Sequence, residues 1–255
     1  IGKLVSWRSH AAIKSPTREF ANSPMATAAL LSGGLDSAVL LAEEAACGEV
    51  QPIYVSAGLG WEPAERAVVS ALLAQKALGP RVRPLASLSV EMRDVYAATH
   101  WAVDGRPPAY HTPDEDVYLP GRNIILLAKA GVYCAVAQLD RLVLGTLAHN
   151  PFPDATPAFR AAMAGALSLG LAHTVRIEAP YADLGKSEIV RRGVTLAVPF
   201  ELTLSCMKPV KRVQEVQCVF LHCGLCSKCR ERHEAFLTAG VVDPTDYADG
   251  RYVHA

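Results

Sequence analysis

Residues 28–42 read AALLSGGLDSAVLLA, an apolar run followed by two glycines and then by a second apolar run. The first run predicts a buried strand and the second predicts a helix. Between them, Gly33 and Gly34 let the backbone approach a ligand that any side chain would keep away. Backbone N–H groups at the start of a helix carry partial positive charge. The segment therefore predicts a loop that binds phosphate.

The polar side chains of this loop support the same interpretation. Ser32 and Ser37 add hydroxyl donors, whereas the carboxylate of Asp36 does not suit a bare phosphate. We expect Asp36 to face a magnesium ion or to cap the helix. A plain tight turn is the alternative, but such a turn rarely needs two glycines, an acid and two serines together.

The overall charge and the cysteine usage narrow the class of protein. The 255 residues contain 25 Lys plus Arg and 25 Asp plus Glu. Proteins that grip nucleic acid unaided usually carry a basic excess, so we expect a small-molecule ligand and no direct nucleic-acid binding. No apolar run approaches the ~18 residues that span a bilayer, and no secretion signal is evident. Seven cysteines in such a chain favour metal binding in the cytoplasm over disulfides.

Strands and helices alternate along the chain. Apolar stretches predict strands at residues 26–31, 51–55, 81–85, 141–145 and 174–178. Helical periodicity predicts helices at residues 36–46, 64–78, 122–139 and 158–169, and a helix that opens at 186–192. This alternation predicts an α/β fold, a Rossmann-like parallel sheet with helices on both faces. Ligands then bind at the carboxyl ends of the strands, and residues 86–120 have the composition of an active-site loop.

Three cysteines near the end of the chain predict a metal site. Cys223, Cys226 and Cys229 are separated by two residues each, and a Cys-x-x-Cys turn brings two sulfurs onto one ion. A structural zinc takes four ligands, so a fourth must come from elsewhere. The candidates are the thiols of Cys206 and Cys218 and, more weakly, His222 and His233. An iron–sulfur cluster and chance burial of the cysteines are the alternatives.

Taken together, these motifs resemble the 7-cyano-7-deazaguanine synthase family, the queuosine-pathway branch of the PP-loop ATP pyrophosphatases. The resemblance runs from about residue 28 to residue 236. Besides SGGLDS at 32–37 it rests on YLPGRN at 118–123, FPD at 152–154, LGKSEI at 184–189, ELTLSC at 201–206 and the cysteine motif with residues 232–236. The family splits ATP between its α- and β-phosphates. The resemblance implies the PP-loop, adenine nucleotide alpha hydrolase-like fold with a C-terminal zinc-binding element.

The resemblance also implies the residues of the site. The catalytic residues would be Asp36, Arg122 and Lys186, and the ATP site would comprise Leu31, Ser32, Gly33, Gly34, Leu35, Asp36, Ser37, Gly121, Arg122 and Gly145. The substrate would contact Trp61, Asn123, Phe152 and Asp154. The zinc ligands would be Cys206, Cys223, Cys226 and Cys229. A solvated Lys186, an Asn123 that merely starts its helix and a turn role for Asp154 are the structural alternatives.

The implied reaction is the conversion of 7-carboxy-7-deazaguanine and ammonia to 7-cyano-7-deazaguanine, with ATP, Mg²⁺ and Zn²⁺, by a homodimer. Residues 57–65 and 148–152 depart from the family's usual stretches. These departures leave a related amide ligase acting on another carboxylate as an alternative. A tRNA thiolase, which also combines a PP-loop with cysteine pairs, and a non-catalytic nucleotide sensor are the two others. We expect a flexible or cloning-derived leader over 1–24, the ATP-binding domain over 25–205, a helical zinc-binding element over 206–240 and a tail over 241–255.

Overall fold

The computed structural model describes residues 26–75, 78–214 and 217–253. The leader expected over residues 1–24 lies outside this part of the chain. At the centre of the described residues is a five-stranded sheet in which every neighbouring pair of strands is parallel. In spatial order the strands are β3 (Ala86–Ser89), β2 (Val50–Ser56), β1 (Thr27–Leu30), β4 (Arg141–Val143) and β5 (Arg176–Glu178).

Helices cover both faces of the sheet, as the alternation of elements predicts. They are α1 (Leu35–Cys47), α2 (Glu62–Leu73), α3 (Trp101–Asp104), α4 (Arg122–Ala137), α5 (Pro157–Leu171), α6 (Lys186–Thr195) and α7 (Ser227–Ala239). One apolar core joins the sheet to α1, α6 and α7, and a second joins its other face to α4 and α5. The Rossmann-like fold class is confirmed.

The order of the strands places the site. The chain runs outward from β1 to β2 and β3, then returns to add β4 on the other side of β1. Ligands in such sheets bind at the carboxyl ends of the strands where the order reverses, here between β1 and β4. Helices α1 and α6 follow strands directly, and α4 precedes β4, so all three begin at that edge.

The third strand was predicted at residues 81–85, on the strength of the apolar residues Val82 and Leu85. This position is wrong. The strand that pairs with β2 is Ala86–Ser89, with Ile53 opposite Ala86. It is the outermost strand on its side of the sheet, and two of its four residues are serines, so its apolar signal is weak. The helix expected over 64–78 also differs, since α2 ends at Leu73.

The element expected to be helical over residues 206–240 begins with a hairpin. Strands β6 (Val210–Gln214) and β7 (Gln217–Leu221) pair antiparallel ahead of α7. The tail that follows α7 returns to the hairpin, where the backbone N–H of His222 donates to the Asp246 carbonyl at 3.0 Å. The cysteine-rich element is therefore a hairpin and a helix, held together in part by the tail.

Candidate active site and metal centre

The loop between β1 and α1 is shaped by its glycines and its own hydroxyls. Gly33 has a φ of 80°, and a Cβ there would lie 3.1 Å from a methyl carbon of Val69 on α2. The dihedral angle therefore favours glycine strongly, and the packing leaves little room for any side chain. The Ser32 hydroxyl accepts from the Gly34 N–H at 3.3 Å, and the Ser37 hydroxyl donates to the Gly34 carbonyl at 3.0 Å. The loop thus fixes the start of α1, whose first N–H groups suit an anion.

Asp36 and Lys186, two predicted catalytic residues, meet at this loop. Asp36 lies in the first turn of α1, and its Oδ2 is 3.3 Å from the Lys186 Nζ. The same Nζ is also 3.1 Å from Glu231 Oε2. Burial favours the neutral amine, but the carboxylates of Asp36 and Glu231 prevail and raise the pKa of Lys186 above its ordinary value. Lys186 is therefore a cation.

Two helices at the carboxyl edge begin with a cation. Lys186 is the first residue of α6, and Arg122 is the first residue of α4. The dipole of a helix disfavours a positive charge at its start, so neither position is explained by helix stability. The Nε of Arg122 is buried and has no hydrogen-bond partner within the described residues. An anionic ligand such as a polyphosphate would give Arg122 a partner that the described residues do not provide.

The donor set around Asp36 fits a magnesium ion. The Oδ1 of Asp36 is buried and unpartnered in the part of the chain that the structure describes. Hard cations such as Mg²⁺ take oxygen ligands and often share one carboxylate with the phosphates of a substrate. Gly145, at the end of β4, lies against this residue, because a Cβ there would be 3.5 Å from the Asp36 Cβ.

Two residues predicted to contact substrate bind each other instead of lying apart. Asp154 Oδ2 accepts from the backbone N–H of Asn123 at 3.0 Å, and its Oδ1 accepts from the Asn123 side chain at 3.2 Å. Asp154 is buried. Since Asn123 follows Arg122 at the start of α4, this pair of contacts holds the helix end that carries the arginine.

Four aromatic residues of this region form two pairs, and Trp61 is the buried member among them. Phe152 and Tyr118 lie with ring centroids 5.2 Å apart, and both are only partly buried. Trp61 is 4% exposed and stacks on Trp101 at 5.9 Å. The sequence interpretation named Phe152 and Trp61 but missed Tyr118, although Tyr118 opens the YLPGRN motif.

Helix α2 contributes two buried acids that the sequence interpretation missed. Glu62 accepts from the backbone N–H of Ala57 at 2.6 Å and from the Ser56 hydroxyl at 2.5 Å, which fixes the chain after β2. Glu65 accepts from the Tyr54 hydroxyl at 3.0 Å. Burial raises the pKa of Glu65 to about 7, and the charge of Arg122 opposes that rise.

Replacing Glu65 by glutamine should stabilise the protein in alkaline but not in acidic solution. The raised pKa means that the folded state keeps a proton which the unfolded chain loses at lower pH. Wild-type stability should therefore fall as the pH rises from about 4.5 to 7. Glutamine still accepts from Tyr54 but never ionises. The free energy of unfolding of Glu65→Gln should therefore exceed that of wild type by about 3 kcal/mol at pH 8.

Urea unfolding of both proteins at pH 5 and pH 8 measures this difference. Glu234→Gln, at an exposed position of α7, is the control and should show no pH-dependent gain. Equal stability differences between wild type and Glu65→Gln at the two pH values would contradict the assignment.

Four buried cysteines form a group that can hold a metal ion. The sulfurs of Cys206, Cys223, Cys226 and Cys229 all lie within 4.8 Å of one another. A tetrahedral zinc with sulfur bonds of about 2.3 Å would separate its ligands by about 3.8 Å. The sulfur distances are 3.9 Å for Cys223 to Cys229, 4.0 Å for Cys226 to Cys206 and 3.5 Å for Cys226 to Cys229.

The backbone supports the four sulfurs. The N–H groups of Cys223 and Lys208 each donate to the Cys206 sulfur at 3.2 Å. Gly224 has a φ of 76°, and a Cβ there would lie 1.9 Å from the Asp249 carbonyl oxygen, so the turn between the first two thiols of the motif requires glycine. Hydrogen bonds to the sulfur of Cys206 stabilise its thiolate form, which is the form that binds metal.

Among the described candidates for the fourth ligand, the fold brings Cys206 to the group and not the histidines. The Nε2 of His222 accepts from the Ser205 N–H at 3.0 Å, and burial lowers the pKa of His222 well below its ordinary value. The Nδ1 of His233 is 3.8 Å from an Asp243 oxygen. The side chain of Cys218 lies outside the described part of the chain.

One buried arginine joins the metal group to the glycine loop. Arg232 of α7 is fully buried and donates to the Thr203 hydroxyl and to the Phe200 carbonyl, both at 2.8 Å. These contacts hold the segment before Cys206. In the same segment the N–H of Leu204 donates to the Gly33 carbonyl at 2.8 Å. The cysteine element and the loop are therefore parts of one packed structure.

The comparisons with known proteins point to one family. Residues 26–240 match the family model described as Queuosine biosynthesis protein QueC. A 7-cyano-7-deazaguanine synthase of Azoarcus sp. is 34% identical over 225 residues, 86% of this chain and 95% of that protein. The 7-cyano-7-deazaguanine synthase of Anaeromyxobacter dehalogenans is 33% identical, over 86% of this chain and 94% of that protein. The one of Methanopyrus kandleri is also 33% identical, over 88% of this chain and 99% of that protein.

A solved structure from Methanocaldococcus jannaschii, described as a predicted subunit of tRNA methyltransferase, matches 89% of this chain over 94% of its own length, with a TM-score of 0.43 and 12% identity. None of the helices in the described residues has the length and apolar character needed to cross a membrane. On the match over residues 26–240 and the identity to full-length relatives, the chain belongs to the QueC family of queuosine biosynthesis proteins.

Proposed function

We propose that this chain is an ATP-dependent carbon–nitrogen ligase that converts 7-carboxy-7-deazaguanine and ammonia to 7-cyano-7-deazaguanine. The observation that carries the proposal is the meeting of the SGGLDS loop with Lys186 at the edge between β1 and β4. The match to QueC over residues 26–240 and the relatives named 7-cyano-7-deazaguanine synthase support the choice of substrate.

The proposed chemistry proceeds through two adenylations. A carboxylate oxygen of the substrate attacks the α-phosphorus of ATP, and the bond to the β-phosphate oxygen breaks, so that pyrophosphate leaves. Ammonia then attacks the carbonyl carbon of the acyl adenylate, AMP leaves, and loss of a proton gives the amide. The amide oxygen is adenylated in the same way by a second ATP. Loss of AMP and of both protons from nitrogen yields the nitrile.

The residues around the loop would stabilise the charge that moves in these steps. The phosphates of ATP would be held by the backbone of residues 31–37, with Gly121 and Gly145 leaving room beside it. Lys186 and Arg122 would face the α-phosphate and the departing pyrophosphate, where fixed cations lower the barrier most. Asp36 would hold Mg²⁺, which neutralises phosphate charge when bound.

The substrate pocket is proposed beside the start of α4. Phe152 and Tyr118 offer partly exposed rings next to the edge, and a planar heterocycle needs such a stacking surface with a few polar groups. Asn123 and Asp154, which bind each other at the start of α4, and the buried Trp61 remain proposed substrate residues, acting chiefly through the shape of this pocket.

The four cysteines are proposed to bind zinc in a structural role. Four thiolates fill a tetrahedral zinc and leave no position for substrate or water. We also keep the expected division into an ATP-binding domain over residues 25–205 and a metal-binding element over 206–240.

The test is product analysis with purified protein that contains its metal. Incubation with ATP, Mg²⁺, ammonia and 7-carboxy-7-deazaguanine should give AMP and pyrophosphate, with the amide and then the nitrile seen by mass spectrometry. Accumulation of the amide alone would identify an amide ligase instead. Formation of ADP would reject the PP-loop chemistry. An absence of substrate-stimulated AMP release would reject 7-carboxy-7-deazaguanine as the acid.

A further inference from the structure

Four charged side chains of alternating sign run from the glycine loop into the metal-binding element. Asp36 Oδ2 lies 3.3 Å from Lys186 Nζ, which lies 3.1 Å from Glu231 Oε2. The other oxygen of Glu231 pairs with the ammonium of Lys228. The side chains of Lys186 and Glu231 are each only 18% exposed. A pair this sheltered is screened far less than a surface ion pair.

Glu231 stands on a helix whose place is fixed by other groups. Helix α7 begins directly after Cys226 and contains Cys229, both members of the sulfur group. Arg232, the residue after Glu231, donates hydrogen bonds to the Phe200 carbonyl and the Thr203 hydroxyl. The carboxylate of Glu231 therefore reaches Lys186 from a rigid support, and not from a mobile loop.

Lys186 needs a second anion besides Asp36. As the first residue of α6 it faces the positive end of the helix dipole, and burial adds a further cost to its charge. With Asp36 as its only partner, the ammonium would close onto that carboxylate. The ion pair would then occupy the oxygens proposed for Mg²⁺ and withdraw the cation from the phosphates.

From this geometry we propose that Glu231 is a positioning residue, which holds the ammonium of Lys186 between α1 and α7 where it can meet the phosphates of ATP. The inference rests on the proposed function, since it assigns Glu231 to the same adenylation step. Glu231 acts through Lys186 and does not itself contact the substrate. A purely structural ion pair between α6 and α7 would affect stability alone.

The test begins with Glu231→Gln, which keeps the shape of the side chain and removes its charge. We expect kcat for AMP release to fall by about 10- to 100-fold, while KM for ATP changes less than about threefold, because the loop backbone still binds the phosphates. Zinc content should stay at the wild-type level. Glu231→Asp keeps the charge and should recover part of kcat.

The matched control is Glu234→Gln, one turn along the same helix. Its side chain is 60% exposed, and its nearest cation is Arg230 at 4.0 Å. This variant should retain wild-type kcat and KM. Equal kinetics for Glu231→Gln and Glu234→Gln would overturn the inference and leave the proposed function standing.

A double-mutant cycle with Lys186→Ala shows whether Glu231 acts through the lysine. If it does, Glu231→Gln should cause no further fall in kcat once Lys186 is alanine. A second fall of the original size would overturn the inference. If Glu231→Gln does not fold with its zinc, the same cycle is run with Glu231→Asp, whose shorter side chain draws the carboxylate back from Lys186. A fall in kcat of undiminished size in the Lys186→Ala background would then overturn the inference. Failure of the wild type to release AMP rejects the proposed function itself.

Discussion

Replacing Cys226 by serine is expected to abolish zinc binding and to unfold the element that carries the metal. The sulfur of Cys226 lies 4.0 Å from that of Cys206 and 3.5 Å from that of Cys229, at the centre of the group. A serine hydroxyl does not replace a thiolate as a zinc ligand. Metal binding and folding are coupled in such sites, with about 10 kcal/mol or more of binding energy in isolated zinc elements.

The effect of Cys226→Ser should extend beyond the metal site to the glycine loop. Arg232 and Glu231 stand on the helix that Cys226 precedes, and the segment that ends in Cys206 is bonded to the glycine loop through Leu204. We therefore expect Cys226→Ser to lose AMP release together with zinc. Elemental analysis should give about one zinc per wild-type chain and almost none for the variant, with a lower midpoint of thermal unfolding.

Cys47→Ser is the matched control, because Cys47 is an exposed free cysteine at the end of α1. It should retain zinc, stability and activity. A Cys226→Ser protein that kept one zinc and the wild-type midpoint would contradict the assignment of the site. A visible iron–sulfur absorption band in anaerobically prepared wild type would contradict the choice of metal.

The glycine loop and the cysteine motif were predictable because their signals are local. Gly33 and Gly34 between an apolar strand and an apolar helix specify the turn through backbone geometry. The spacing of Cys223, Cys226 and Cys229 specifies a metal turn in the same way. Each needs only a few neighbouring residues, so a single sequence is sufficient to find it.

The fourth cysteine depended on the fold. The spacing of residues left both Cys206 and Cys218 open as ligands, and the family resemblance favoured Cys206. In the structure the β6–β7 hairpin folds the chain back between Cys206 and Cys223, so that the N–H of Cys223 reaches the Cys206 sulfur at 3.2 Å. Valines recur at every third position from 210 to 219, which is not the alternation typical of a strand, so the sequence carries only a weak signal for that hairpin.

The buried acids could not be found from the sequence. Glu62 and Glu65 lie in the first turn of α2, where acids are common because they favour the helix dipole. Their burial follows from the packing of α2 against β2 and the residues after it, since Glu65 binds Tyr54 and Glu62 binds Ala57. Glu231 is similar, since a glutamate between Arg230 and Arg232 has the pattern of a solvated helix face. Only the packing of α6 against α7 directs it to Lys186.

Replacing Lys186 by alanine is expected to lower kcat for AMP release by about 100- to 1000-fold, the range seen when one preorganised charge-stabilising group is removed. KM for ATP should change much less, because the backbone of the glycine loop binds the phosphates in the ground state as well. Lys186→Arg keeps the charge and should fall between wild type and alanine. The products should remain AMP and pyrophosphate, since the loop still selects the bond that breaks.

The control for this variant is Lys129→Ala, an exposed lysine in the middle of α4. It should match wild type in both kinetic constants.

Lys186→Ala also leaves Asp36 and Glu231 without the cation that both of them contact, so the stability of this variant should fall. Circular dichroism must therefore show that the assayed protein is folded. A lower rate could come from fewer folded active sites or from a slower chemical step. Pre-steady-state measurement of AMP formation separates these two causes, because partial unfolding lowers the number of active sites and leaves the rate constant of the folded fraction unchanged. A folded Lys186→Ala protein with wild-type kcat would remove Lys186 from the proposed chemistry and leave Arg122 as the remaining helix-start cation at the phosphates.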